Sequence, residues 1–281
     1  MNEERYIRRC VESLLAAEYP AERVEFLFVD NGSSDRGTEI LREYPRVTVL
    51  HEPRGMAYTA RNAAIAVASG RVVAFTDADC EVDPLWLQTI HEAILDEGAR
   101  IAMGPVTFPR PRSALLEVLE TYRNDHIEYV IANRIWNHLY GYTNNMAVCA
   151  DVFARLGPLE ELPVPGDTEI LHRCLARLPD TVIAFRQAMR VEHLEIVNAR
   201  ALFRKLIYYG ELDTHWPTSH DPPHHRGSSG AESYTVRRNR FSLRRHLLFQ
   251  VGLKTSNACL WYGNCRGRLK RAWGKLRSAP V

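Results

Sequence analysis

Two carboxylates one residue apart, Asp77 and Asp79, stand where a short apolar run stops: residues 71–80 read R-V-V-A-F-T-D-A-D-C. In an extended chain, residues two apart share a face, which predicts that both acids project together from the end of a buried strand. Like charges held that close repel unless a cation lies beside them. Oxygen ligands of this kind suit a hard divalent ion, Mg²⁺ or Mn²⁺. For an isolated D-x-D, a solvated turn after a strand is the competing reading.

The elements that must position these acids follow from periodicity. Asn2 is placed to cap a helix whose apolar positions Ile7, Val11, Leu14 and Leu15 share one face, ended by Tyr19-Pro20. Strands are expected at 24–29, 47–50, 72–75, 101–103, 142–149, 182–185 and 189–193. Helices are expected at 38–43, 55–70 with Ala60, Ala63, Ala64 and Val67 inward, 84–95, 112–136, 151–156, 168–178 and 201–211. Strand and helix alternating with short connections predict an α/β protein with a mostly parallel sheet. Ligands of such sheets bind beyond the carboxyl ends of the strands, so Asp30, after V-E-F-L-F-V, and the Asp77/Asp79 pair would share one edge.

The 281 residues are 46% hydrophobic and 25% charged, enough for one large or two small domains of ordinary soluble composition. The formal charge of +2 is unevenly spread. Residues 234–281 hold 12 Lys/Arg and no acid, leaving 24 basic against 34 acidic residues before them, a net of −10. A basic tail on an acidic body suggests an anionic partner. Six scattered cysteines without a C-x-x-C pair argue against a zinc finger or a disulfide framework. With no secretory leader and no apolar run long enough to span a bilayer, the expectation is a cytoplasmic protein, peripheral at the inner face of the membrane.

The order of motifs resembles the inverting glycosyltransferases of family 2, which have the GT-A fold. The matching blocks are V-D-N-G-S-S-D at 29–35, G-M-A-Y-T-A-R-N at 55–62, T-D-A-D at 76–79, N-M-A-V at 145–148, G-D-T-E-I-L-H-R at 166–173 and V-E-H at 191–193. The resemblance covers roughly residues 2–210. It implies a transferase that moves a sugar from a nucleoside diphosphate sugar, most often a UDP-sugar, to a hydroxyl of a glycan or lipid-linked acceptor. Asp30 would contact the nucleoside, Arg61 the base or diphosphate, and Asp77 the ribose. Asp79 would ligate Mg²⁺ or Mn²⁺, with His193 as a further ligand or diphosphate contact. Asp167 would be the catalytic base, Glu169 a weaker alternative, and Asn145 an acceptor-side residue. Each has a plainer reading: an Asx turn for Asp30, a helix cap for Asp167, a helix-surface cation for Arg61, a structural histidine for His193.

Two departures stand out. The family more often has Glu-Asp where this chain has Gly166-Asp167, and an apolar first strand with a Pro-x-x-Asn loop would precede Asn2-Glu3-Glu4. The expectation is therefore a GT-A sheet with its first strand missing, from a start placed too far downstream or a truncated form. No Q-x-x-R-W block is present, which disfavours a processive synthase. The expected divisions are 1–110 for the nucleotide sugar, 111–200 for acceptor and base, and 201–281 for C-terminal helices. In the last, His215, His220, His224 and His225 form a loop, either a diphosphate clamp or plain exposed chain. Residues 237–281 suggest amphipathic helices on an anionic membrane surface; packing and nucleic acid are the other readings. A nucleotidyltransferase and a degenerate scaffold are the functional alternatives.

Overall fold

The structure is a computed structural model that describes residues 2–161, 166–212, 254–255 and 257–259. Two compact units are resolved, one formed by residues 1–109 and 124–195, the other by 110–123 and 196–281. Asp30, Arg61, Asp77, Asp79, Asn145, Asp167, Glu169 and His193 all fall in the first unit.

In that unit, helix α1 (Ile7–Leu15) buries Ile7, Cys10, Val11 and Leu14 on one face, as their spacing predicts. Asn2 does not cap it. Its backbone takes φ 61°, and its side-chain oxygen instead accepts the Ser34 N–H at 2.8 Å, fastening the chain start to the 31–35 loop. Strand β1 (Phe26–Asp30), helix α2 (Gly37–Leu41) and strand β2 (Val47–His51) follow, with β1 and β2 paired in parallel. Helix α3 (Ala57–Val67) buries Tyr58, Thr59 and Ala60, but Val67 is exposed, against expectation. Burial there depends on position along the helix more than on its face.

Strand β3 (Val72–Thr76) leads through a turn to β4 (Cys80–Val82), then to helix α4 (Trp86–His91), which continues as one π turn over Glu92–Asp96. Strands β5 (Ile101–Met103) and β6 (Val106–Thr107) come next. The Asn124–Ala132 end of helix α5 (Ala114–Ala132) also belongs to this unit. Strand β7 (Asn145–Cys149), helices α6 (Ala150–Leu156) and α7 (Gly166–Arg177), and strands β8 (Ile183–Phe185) and β9 (Val191–His193) complete it. The larger sheet has the order β3-β7-β5-β8, and a smaller one β4-β9-β6. The pairing is more mixed than strand–helix alternation suggests, because β7 runs antiparallel between β3 and β5.

The larger sheet separates two cores by side-chain period. Phe75, Ile101, Met103, Met146, Val148 and Ile183 face one core with Ile170 and Leu171 of α7. The in-register alanines 147, 102 and 184 face the other, where their small size lets Trp86, Ile90 and Ile94 of α4 lie close. Truncating Met146, which has no exposed surface, would cost about 2–5 kcal/mol. The outer edges of β1 and β3 carry no paired strand among the described residues, and Ala74 on β3 is exposed.

The second unit contains the start of α5, where Leu116 and Val118 are buried and Arg112 pairs with Glu120 at 2.7 Å, and helix α8 (Ala199–Leu212). No helix among the described residues is long and apolar enough to cross a membrane. The histidine loop at 215–225 and almost all of the basic segment 237–281 lie outside the described residues.

Candidate active site

Asp30 closes β1, and a carboxylate there is fixed by its own turn. Its Oδ1 accepts the Ser33 N–H at 2.9 Å, while its Oδ2 lies 3.5 Å from His51 at the same register position on β2. Burial would raise its pKa, but the Ser33 hydrogen bonds and nearby His51 outweigh that and hold it below the usual carboxylate range. Both the plain Asx turn and a position at the carboxyl edge of the sheet are therefore realised.

Asp77 and Asp79 lie beyond the end of β3, not within it. β3 ends at Thr76, and the Cys80 N–H closes a turn onto the Asp77 carbonyl at 3.0 Å. That turn breaks the two-residue period and sends the acids to different partners. Asp77 accepts Arg61 Nη2 at 2.6 Å. Asp79 is only 6% exposed, and its Oδ2 lies 3.5 Å from His193 Nε2. The His193 position is set by the β4–β9 ladder, which extends one step further through a Leu194 N–H to Asp79 carbonyl bond of 2.8 Å. Asp79, Cys80 and His193 each offer a ligand atom within 4.8 Å of the others. Such a buried carboxylate–imidazole set fits a divalent ion, which would relieve the cost of burying Asp79.

Arg61 ties two halves of the site together. Its guanidinium pairs with Asp77, lies 5.4 Å from the Tyr58 ring centroid, and acts electrostatically on Asp167. Asp167 sits in the first turn of α7, where the helix dipole favours a carboxylate. Its Oδ1 accepts the Thr168 N–H at 3.0 Å and its Oδ2 the Thr143 N–H at 3.2 Å. The cap reading is thus correct in part and leaves the carboxylate anchored at both oxygens. Burial raises the Asp167 pKa; Arg61 and the two N–H groups offset this without cancelling it.

Close packing explains the glycine before Asp167. A Cβ on Gly166 would meet the Glu160 carbonyl at 2.9 Å and the Tyr58 ring at 3.1 Å, so the acidic residue usual in the family has no room here. Gly141 is similarly constrained, with its imagined Cβ 2.6 Å from the Asp167 carbonyl. Glu169 is not placed to act as base: it is buried and its Oε1 lies 3.0 Å from Arg173 Nε, one turn along α7.

Asn145 requires a correction. It has no exposed surface, and both its amide hydrogens are spent, on the Pro105 carbonyl at 3.0 Å and the Met189 carbonyl at 2.8 Å. Its oxygen accepts Trp86 Nε1–H at 2.8 Å. It braces both sheets and α4 from within and has no donor left for an acceptor sugar. Asn145→Ala should cost about 2–4 kcal/mol, because it strands buried polar groups on three segments. The check is a lower urea midpoint at unchanged slope. Tyr58, Thr143 and Cys80 are the site residues that sequence reasoning missed. For Tyr58 a signal existed, since it lies three residues before Arg61 on one helical face.

This geometry stands among known relatives. The chain shares its fold with solved GT-A glycosyltransferases. S. aureus TarS, solved in complex with UDP-GlcNAc, matches with a TM-score of 0.57 at 15% identity over 92% of this chain and 79% of that one. The mannosyltransferase PcManGT from Pyrobaculum calidifontis, solved with GDP-Man and Mn²⁺, matches with a TM-score of 0.57 at 17% identity over 99% and 77%. The family model for glycosyl transferase family 2 matches residues 1–154, and the chain belongs to that family. Glycosyltransferase AglE of Haloferax volcanii is 30% identical over 172 residues, 59% of this chain; the chain spans about half of that relative, 55% of its length.

Proposed function

We propose that this protein is a metal-dependent, inverting glycosyltransferase that moves a sugar from a nucleoside diphosphate sugar to a hydroxyl of a glycan or lipid-linked acceptor. The observation that carries the reading is the joining of Asp167, Arg61 and Asp77 into one charged set beside the buried Asp79–His193 pair. Asp30 and Asp77 are suited to the nucleoside and ribose. Asp79 and His193 would hold Mg²⁺ or Mn²⁺, which when bound neutralises the leaving diphosphate. Asp167 takes the acceptor proton as the hydroxyl attacks the anomeric carbon. UDP is the favoured nucleotide: TarS is described with UDP-GlcNAc and with UDP, though PcManGT is described with GDP-Man. The basic segment 237–281 would hold the enzyme at an anionic membrane surface near such an acceptor.

Calorimetric titration with UDP, GDP and TDP, with and without Mn²⁺, tests the reading. Metal-dependent binding of one nucleotide is expected, whereas no binding under any condition favours a scaffold. Transfer of a nucleotidyl group instead of a sugar would favour the nucleotidyltransferase alternative.

The raised Asp167 pKa gives a pH prediction. A base must be ionised, so kcat/KM rises with pH, and its acidic limb should lie above the ordinary carboxylate value of about 3.9. Removing the Arg61 charge removes a term that favours the anion, so Arg61→Met should move that limb further up. A downward movement would contradict the assignment. For folding the sign is the same group seen from the other side. A folded-state pKa above the unfolded one contributes stability below the unfolded value, lost as pH rises through the folded one.

A further inference from the structure

We propose that Cys80 is a third protein ligand at the Asp79–His193 centre, so that this site takes a borderline-soft ion such as Zn²⁺ or Co²⁺ through a carboxylate, a thiolate and an imidazole. The inference rests on the metal reading given under Proposed function and adds a ligand to it.

The placement follows from register. Cys80 on β4 stands directly opposite His193 on β9 in an antiparallel pair, and opposite residues of such a pair present their side chains on one face. Glu81 and Glu192 form the next opposite pair, on the other face, where both meet Arg9. Asp79 adjoins this pair at the turn. Cys80 Sγ lies 3.7 Å from Asp79 Oδ1, and His193 Nε2 lies 3.5 Å from Asp79 Oδ2. With metal–ligand bonds of about 2.0–2.3 Å, a tetrahedral ion spaces its ligand atoms by roughly 3.3–3.8 Å. Two of the three pairs stand near that spacing, through the two different Asp79 oxygens, and all three side chains offer ligand atoms within 4.8 Å of one another. None is more than 6% exposed.

The plainer role for Cys80 is core filling, since it packs with Cys10, Val82 and Trp86. Its thiol also donates a weak hydrogen bond to Asp79 Oδ1, and neither role accounts for the imidazole placed opposite it across the ladder. A thiolate selects Zn²⁺ or Co²⁺ over the hard ions that oxygen ligands prefer. Binding is a ligand exchange without redox change: the S–H bond breaks, the sulfur lone pair forms the bond to the ion, and one proton leaves to solvent. Charge then sets the consequence. Asp79 and neutral His193 leave a divalent ion with net charge +1 to meet a diphosphate, whereas adding a thiolate brings the centre to zero. Zn²⁺ is therefore expected to occupy the site and to support transfer poorly.

The test is Co²⁺ titration of the full chain followed by absorption, beside Mn²⁺ binding followed by electron paramagnetic resonance. A near-ultraviolet thiolate-to-cobalt band with intense visible bands is expected, lost in Cys80→Ser and kept in Cys10→Ser. Cys80→Ser should still bind Mn²⁺ and should lose at least about tenfold in Zn²⁺-over-Mn²⁺ preference, the size of effect seen when groups around metals are altered. Circular dichroism and a second variant, Cys80→Ala, guard against misfolding, and both variants must lose the band. A wild-type protein that binds Mn²⁺ but shows no thiolate band, or a band that survives in both Cys80 variants, overturns the inference alone. Failure of Mn²⁺ and Co²⁺ to bind at all overturns the metal reading with it.

Discussion

Asp167→Asn should lower turnover by about 10²–10⁴-fold, the range lost when a general base is removed. The amide keeps the shape and still accepts one of the N–H bonds from Thr143 and Thr168, but it cannot take a proton. Donor affinity should change little, because Asp77, Asp79 and Asp30 remain. The signature is a fall in kcat and kcat/KM together, with the nucleotide dissociation constant preserved. Glu169→Gln is the comparison. Its carboxylate is held by Arg173, so a loss of activity there would come with a loss of stability, measured as a lower unfolding midpoint. Equal and purely kinetic losses at both positions would remove Asp167 from its role.

Asp79→Ala should be as severe and differently expressed. Removing the carboxylate takes away a charged ligand of the proposed centre. Lewis-acid assistance to a leaving phosphate amounts to several kcal/mol, so about 10²–10⁴-fold in rate is at stake. Mn²⁺ binding should weaken in step, and the nucleotide should then bind equally with and without metal. Asp77→Asn separates the two acids of the D-x-D. It should leave Mn²⁺ binding in place while freeing Arg61, whose partner at 2.6 Å it removes. Identical metal losses in both variants would contradict this division of roles.

Much of this was legible because periodicity reports burial. The alternation in β5 and β7, large residues to one core and alanines to the other, is a two-residue pattern visible in I-A-M and N-M-A-V-C. The position of Asp30, Asp77 and Asp79 after apolar runs marked them as candidates, and Asp167 came only from the resemblance to glycosyltransferase family 2. What periodicity does not contain is a turn that begins one residue after a strand. Extending β3 through Asp79 carried the strand too far: β3 ends at Thr76, and the Cys80 N–H to Asp77 carbonyl bond closes a turn there. Nor does sequence show how a polar residue spends its hydrogen bonds. Asn145 sits at the same strand end as plausible acceptor contacts, yet its amide is consumed by Trp86, Pro105 and Met189. Gly166 read as a departure from the family and proved a matter of room, decided by Tyr58 and Glu160 from distant parts of the chain.

The central claim is direct displacement at the anomeric carbon with Asp167 as base, and the stereochemistry of the product reports on it most directly. Proton magnetic resonance can follow the sugar first released from an α-linked nucleoside diphosphate sugar by the Mn²⁺-loaded protein, before mutarotation. The account predicts that the β-anomer appears first and that Asp167→Asn abolishes its appearance. An α-anomer formed first by the wild-type protein would contradict it.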